Sequence, residues 1–340
     1  MITTRWQHPV LSLAVVGTVI LAGCVTTPSA SERDGPAEAV VISGSSTVEP
    51  ISSLVAEDFG AANAGFEYSV DGPGTGDGFA LFCEGETDIS DASRPISGEE
   101  IAACEEAGIR YVELRIAIDG ISVLTSVAND AVSCLSFLDL YALMGPEGDD
   151  FETWSDQDDL AAELAGELGD EFGASNAPYP DDPLEVTAPG EESGTYDSFG
   201  ELVFEGIAEV RGTDPVARPG YTASADDNVI IEGIGGSDTS LGWVGFAFYE
   251  ENADVVKALE VDGGDGCVAP TAETIASNAY PISRDLFIYV NTDRAAANST
   301  LGDFVDYYLS DEGIAAVEEA GYVSLAADAL EETRATWDGR

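Results

Sequence analysis

Between residues 40 and 107 the chain alternates three times between a short strand-like run and an amphipathic helical run. Val40–Ser43, Phe66–Val70 and Asp88–Asp91 read as strands. Val48–Asn63, Asp77–Cys83 and Glu99–Ala107 read as helices. In the first helix Val48, Ile51, Val55, Phe59 and Ala62 recur at i, i+3, i+4 spacing and share one face. An order of β-α-β-α-β-α leaves few packed solutions, chiefly a mostly parallel sheet with helices on its faces.

The pattern continues past that unit. Tyr111–Ile118 and Ile121–Val127 read as two strands separated by Asp119-Gly120. Phe137–Met144 is expected to be helical, and Asp156–Phe172 to form an acidic amphipathic helix with Leu160, Leu164, Leu168 and Phe172 at i, i+4 spacing. Then follow a strand at Leu184–Ala188, helices at Thr195–Ile207 and Ala225–Ile234, and strands at Leu241–Phe248 and Arg284–Val290. Helices near Leu301–Leu309 and Asp311–Ala320 close the series. About 300 residues of this kind suffice for two lobes with their own cores. The best division has the chain leave the first lobe near Ile118–Ser122 and return near Tyr280–Arg284. That gives lobe I as 38–118 with 285–340 and lobe II as 119–284, joined by two hinge crossings. Paired α/β lobes carry a ligand in the cleft between them, at the carboxyl ends of the strands.

The start of the chain reads as an address. Arg5 and His8 precede an apolar run, Val10 to Ala22, too short to span a bilayer comfortably. The run ends in Leu21-Ala22-Gly23-Cys24, similar to a lipoprotein cleavage site, which makes 1–23 a signal peptide and Cys24 the lipidated residue. A plain signal peptide is the alternative. Residues 24–37, rich in Ser, Thr, Pro and Glu, read as a flexible tether.

Charge and cysteines narrow the partners. The 65 Asp and Glu against 12 Lys and Arg give a formal net charge of -53, and Lys257 is the single lysine. Such a surface resembles those of extreme halophiles, where molar salt cuts the screening length to roughly 3 Å. Nucleic acid is excluded as a partner, since a polyanion would be repelled. An exported chain keeping Cys83, Cys104, Cys134 and Cys267 suggests two disulfides. Of three pairings, Cys83–Cys104 closes a short loop and leaves Cys134–Cys267. Zinc is disfavoured by the lack of C-x-x-C spacing and of any histidine besides His8.

Four segments share one character, a strand end followed by a Gly/Ser/Thr turn and a helix start. They are Gly44-Ser45-Ser46-Thr47-Val48, Gly72-Pro73-Gly74-Thr75-Gly76-Asp77-Gly78, Ser90-Asp91-Ala92-Ser93-Arg94-Pro95 and Glu191-Glu192-Ser193-Gly194-Thr195. A helix start offers unpaired N–H groups and a partial positive charge, and hydroxyls add short donors. One such turn is an ordinary cap; four together describe a donor-lined anion cage. Standard nucleotide motifs do not fit: the glycine loop lacks the P-loop lysine and departs from G-x-G-x-x-G. A Ser-His-Asp hydrolase is excluded because His8 lies in the removable segment. Glu191-Glu192, Asp226-Asp227 and Asp262-Gly263-Gly264-Asp265-Gly266 read as solvated surface or turns.

Asp91 stands out among these donors. A carboxylate tolerates an anion that still carries a proton, as phosphate does at neutral pH, and repels one that does not, such as sulfate. Arg94 can grip oxyanion oxygens through its fork and offset Asp91; the alternative is a surface Asp91–Arg94 ion pair.

The order and spacing of these motifs, with Ile42-Ser43 before the first, Asp88-Ile89 before the third and Tyr280-Pro281-Ile282-Ser283-Arg284 near the second crossing, resemble the phosphate-binding proteins of the high-affinity phosphate ABC transporter. These are the PstS-like members of the type II periplasmic binding protein superfamily, and the resemblance runs from Val40 to about Ala326. It implies a two-lobed α/β clamshell that is not an enzyme and needs no cofactor or metal. It implies inorganic phosphate as ligand, ABC permease subunits as partners, a monomer, and a lipid-anchored position on the outer face of the cytoplasmic membrane. The site it implies is Ser46, Thr47 and Val48 from the first loop, Gly74 and Thr75 from the second, Asp91, Ser93 and Arg94 from the third, and Ser193, Gly194 and Thr195 from the second lobe. One departure counts: many members carry an arginine four residues before the Ser-Gly-Thr serine, and here Pro189 stands there, with Arg94 the natural substitute. Other oxyanion binders (sulfate, molybdate), a phosphate-sensing receptor and a surface phosphatase remain as alternatives.

Overall fold

A computed structural model describes residues 39–148, 152–191 and 193–340. The expected signal peptide, the tether, Cys24 and Glu192 lie outside them.

Strands β1 (Val40–Gly44), β2 (Tyr68–Asp71) and β3 (Ile89–Ala92) pair in parallel, with β1 in the middle. Each returns through a helix: α1 (Glu49–Ala62) after β1, α2 (Thr75–Cys83) after β2, α3 (Gly98–Ala107) after β3. Crossovers of this kind put the helices on the sheet faces and all three strand carboxyl ends at one edge. The sheet continues through the strand Ser283–Asn291, antiparallel to β3, and then β4 (Tyr111–Ser126), antiparallel to Ser283–Asn291. The core of this lobe joins Val40, Ile42, Ile51, Val55 and Phe59 to Leu114, Ile288, Phe304, Tyr308 and the buried Trp337.

β4 corrects one expectation. Asp119-Gly120 does not break it: the strand runs unbroken, with Asp119 opposite Arg284 and Gly120 opposite Ser283. Ladder pairing along this edge overrides the weak strand preference of Asp and Gly. The predicted exit and return of the chain therefore lie side by side. Beyond Gly120, β4 pairs with Leu241–Gly245 and Val256–Ala258. These carry the second lobe, whose core includes Ile121, Val123, Leu138, Tyr141, Trp154, Phe199, Trp243 and Tyr280. The three-stranded sheet of Cys134–Ser136, Glu260–Asp262 and Cys267–Val268 completes it, with the parallel pair Thr187–Pro189 and Thr222–Ser224. Cys83 is bonded to Cys104 and Cys134 to Cys267, the pairing favoured above.

Other boundaries shift. The helix expected over Asp156–Phe172 is a 3-10 turn at Trp154–Gln157 followed by Asp158–Leu168; it stops at Gly169, whose positive φ of 64° suits glycine. The strand expected to Phe248 ends at Gly245 and becomes the helix Phe246–Glu251. The helix expected over Thr195–Ile207 spans Gly194 to Arg211 but contains a π turn at Gly200–Phe204. A Cβ on Gly200 would come 2.5 Å from the Pro215 carbonyl, so the helix passes another backbone there. The first strand of the second parallel pair covers only Thr187–Pro189, where Leu184–Ala188 was expected, and the strand after α1 starts at Tyr68 rather than Phe66. Among the described residues no helix is long and apolar enough to cross a membrane.

Candidate functional site

The site is built where β1, β2 and β3 end. Gly44 closes β1 with φ 152°, and a Cβ there would lie 2.1 Å from the Asp91 carbonyl. Only glycine allows the first loop to turn over β3 at this distance. Gly74 caps α2 with φ 115°, and its N–H donates to the Gly44 carbonyl at 2.8 Å. A Cβ on Gly78 would meet the Gly44 Cα at 2.4 Å, so α2 also presses on β1. Together these glycines draw the first three loops onto one another.

Their side chains interlock. The Ser45 amide donates to the Asp91 carbonyl at 2.9 Å, and the Ser45 hydroxyl accepts from the Thr47 amide at 3.2 Å. The Thr75 and Ser93 hydroxyls share a hydrogen bond of 3.0 Å, and the Ser93 amide donates to Thr75 Oγ1 at 3.2 Å. Thr75 is the first residue of α2, two positions earlier than the sequence suggests, which puts its hydroxyl at the helix start. The Val48 amide is already engaged with the Ser45 carbonyl at 3.1 Å.

Asp91 is fully buried. Its Oδ1 accepts from Ser52 Oγ at 3.0 Å, and that hydroxyl also meets the Tyr308 hydroxyl at 3.1 Å. Among the described residues Oδ2 has no hydrogen-bond partner. Burial pushes the carboxyl up to about 7; the Ser52 hydroxyl opposes the rise and the charge of Glu49 adds to it.

The second lobe meets the first loop directly. Ser193 caps the helix from Gly194, its hydroxyl accepting from the Thr195 amide at 3.2 Å. A Cβ on Gly194 would lie 3.2 Å from the Ser46 carbonyl and 3.5 Å from the Thr47 Cα. Ser46 Oγ donates to Asp197 at 3.1 Å, and the Thr47 and Ser198 hydroxyls meet at 3.0 Å. Two clefts flank this seam. One of about 630 Å3 is lined by Gly74, Thr75, Ser93, Arg94, Glu201 and Arg284, among others; one of about 420 Å3 is lined by Thr195, Asp119, Asp227 and Tyr322, among others.

Arg94 lines the larger cleft but makes no pair with Asp91. Both its Nη atoms bond Glu100, at 2.9 and 2.8 Å, and its guanidinium lies 5.7 Å from the Phe79 ring. The third loop turns away after Ser93, so the fork reaches the cap of α3, where Glu100 also accepts from the Ser97 amide. Sequence reasoning missed Ser52, Ser198, Arg284 and Tyr308. Ser198 stands three residues after Thr195, one turn on along the same helical run, so spacing could have found it. Arg284 was visible as one of few basic residues, at an expected crossing. Tyr308 comes from a helix 256 positions away and gave no local signal.

Comparison with known proteins agrees with this architecture. A PBP superfamily domain matches residues 27–312. Protein SphX of Synechocystis sp. is 37% identical over 303 residues, 88% of this chain and 82% of that one. Phosphate-binding protein PstS of Staphylococcus epidermidis is 32% identical over 328 residues, 94% and 89% of the two chains. The chain belongs to the PstS-like family of the PBP superfamily. A crystal structure described as a possible phosphate binding protein from Planctomyces limnophilus superposes with a TM-score of 0.77 at 31% identity, covering 90% of this chain and 99% of that one. Members of this family are two-lobed binding proteins rather than enzymes, and so is this chain.

Proposed function

We propose that this chain captures one inorganic phosphate ion between its lobes and delivers it to an ABC importer. The observation that carries this reading is the half-satisfied carboxyl of Asp91. It is buried with one oxygen held by Ser52 and the other without a partner among the described residues, beside turns rich in hydroxyls and amides. A buried acceptor without a donor costs about 1–3 kcal/mol. An oxyanion that brings its own O–H relieves that cost, and one without an O–H meets a like charge.

In this reading the ligand set is Ser46, Thr47, Val48, Gly74, Thr75, Asp91 and Ser93, with Ser193, Gly194 and Thr195 from the other side; the expected Arg94 is left out because Glu100 holds both its Nη atoms. Lobe I is 38–118 with 285–340 and lobe II is 119–284; they swing about the crossings at Asp119 and Arg284. The Leu21-Ala22-Gly23-Cys24 run supports a lipid anchor at Cys24 and a position on the outer face of the cytoplasmic membrane. The protein works as a monomer, with permease subunits as its partners. The alternatives of sulfate or molybdate are disfavoured by Asp91.

Titration calorimetry of the mature chain with phosphate, arsenate and sulfate, at pH 8 in molar salt, tests this. Phosphate and arsenate are expected to bind at one per chain, and sulfate to give no binding heat. Sulfate binding as tightly as phosphate contradicts the role of Asp91.

A further inference from the structure

The proposed site holds a carboxylate, yet Arg94, the cation that sequence supplies for it, is committed elsewhere. Its fork is filled by Glu100, and its side chain is 45% exposed. Arg284 is more buried, and its Nη2 is turned to hydroxyls of the site. Its side chain is 12% exposed, and its Nη2 donates to Thr47 Oγ1 at 3.2 Å and to Ser198 Oγ at 2.6 Å. It thus touches the first anion loop and the helix opposite, and it lines the cleft shared with Gly74, Thr75 and Ser93. Its Nη1 bonds Glu201, in the π turn of the facing helix. Its buried Nε lies 3.4 Å from Asp119 Oδ2, yet neither atom completes a hydrogen bond among the described residues.

We infer that Arg284, and not Arg94, is the guanidinium that binds the oxyanion, with Asp119 as its positioning residue. This rests on the phosphate reading above. Arg284 sits on the strand that returns between the lobes, directly opposite Asp119 in the ladder, so hinge motion moves it little relative to either half. The hydroxyls it now contacts, on Thr47 and Ser198, are donors to an anion as readily as acceptors from an arginine. An entering oxyanion takes their hydrogens and the Nη2 hydrogens together. Glu201 and Asp119 keep the fork oriented and offset its charge. Burial raises the Asp119 carboxyl, and the nearby guanidinium opposes that rise.

The test is calorimetry with inorganic phosphate on the full mature chain and three variants. Arg284→Gln combined with Asp119→Asn removes both charges of the buried pair, so no buried carboxylate is left unpaired; Glu201, which also loses its partner, is 51% exposed and stays solvated. It is expected to weaken phosphate binding roughly 10- to 100-fold, the range for losing a charge-assisted bond. Its melting temperature without phosphate should stay near that of the parent, while the rise on adding phosphate shrinks. Arg284→Lys, which keeps the charge but not the fork, should recover part of the loss, and Arg94→Gln should stay within about threefold of the parent. The inference is overturned if the double variant binds like the parent, if Arg94→Gln carries the large loss, or if Arg284→Lys recovers nothing. A parent chain that binds no phosphate overturns the phosphate reading itself, and this inference with it.

Discussion

In the proposed function Asp91 carries both stability and selectivity. Its carboxyl is pushed up to about 7 from an ordinary 3.8, chiefly by burial. The folded state therefore holds a proton that the unfolded chain has lost over that interval. The stabilisation is complete below pH 3.8 and is lost as pH rises through about 7. Asp91→Asn should accordingly flatten the stability profile of the unliganded protein. At pH 8 the variant should exceed the parent by on the order of 4 kcal/mol in denaturant melts; an unchanged profile would mean that Asp91 is solvated. Selectivity follows the same titration. Once protonated, Asp91 becomes a donor, so sulfate should begin to compete with phosphate as pH drops below 7 and should compete at every pH in Asp91→Asn. Ser52→Ala removes the hydroxyl that opposes the rise, and carboxyl-carbon NMR should find the Asp91 midpoint shifted upward.

At the scale of elements, the three turns meet because the strand ends and their glycines are packed against one another. Gly44→Ala places a methyl inside the Asp91 backbone. It should destabilise the fold by about 3 kcal/mol or more and abolish phosphate binding; a melting temperature within 2–3 °C of the parent would contradict this packing. The sequence made this part legible because the strand-helix alternation and the turn residues agree over residues 40–107. It misled where tertiary pairing outweighs local preference, as at Asp119-Gly120 inside β4. It was silent where a helix has little apolar periodicity. Ala327–Asp338 is held by Trp337, buried against the first lobe's core, and Thr333, whose hydroxyl bonds the Arg115 carbonyl. Short strands such as Glu260–Asp262 were invisible for a similar reason, since only partners define them. In the site, the turns could be read but their partners could not. Ser52 and Tyr308 reach Asp91 only through packing, and the capture of Arg94 by Glu100 depends on where α3 begins.

At the scale of the molecule, charge and covalent staples set the working conditions. With a formal charge of -53, self-repulsion is strong at low ionic strength. The melting temperature should climb steadily between 0.1 and 2 M KCl in scanning calorimetry, most steeply at the low end; a flat response would show that the acidic surface is neutral for stability. The Cys134–Cys267 bond spans 133 positions and ties two strands of the three-stranded sheet to one another. Replacing both cysteines with serine should cost about 4–5 kcal/mol, read in urea melts. The proposed function is a clamshell whose halves close on one tetrahedral oxyanion. The most direct test is a crystal structure of the mature chain grown with phosphate. The account predicts one ion in the seam between Thr47, Thr75 and the Ser193–Thr195 turn, with an oxygen within hydrogen-bond distance of Asp91 Oδ2. An ion held by one lobe alone, or seated away from Asp91, would contradict it.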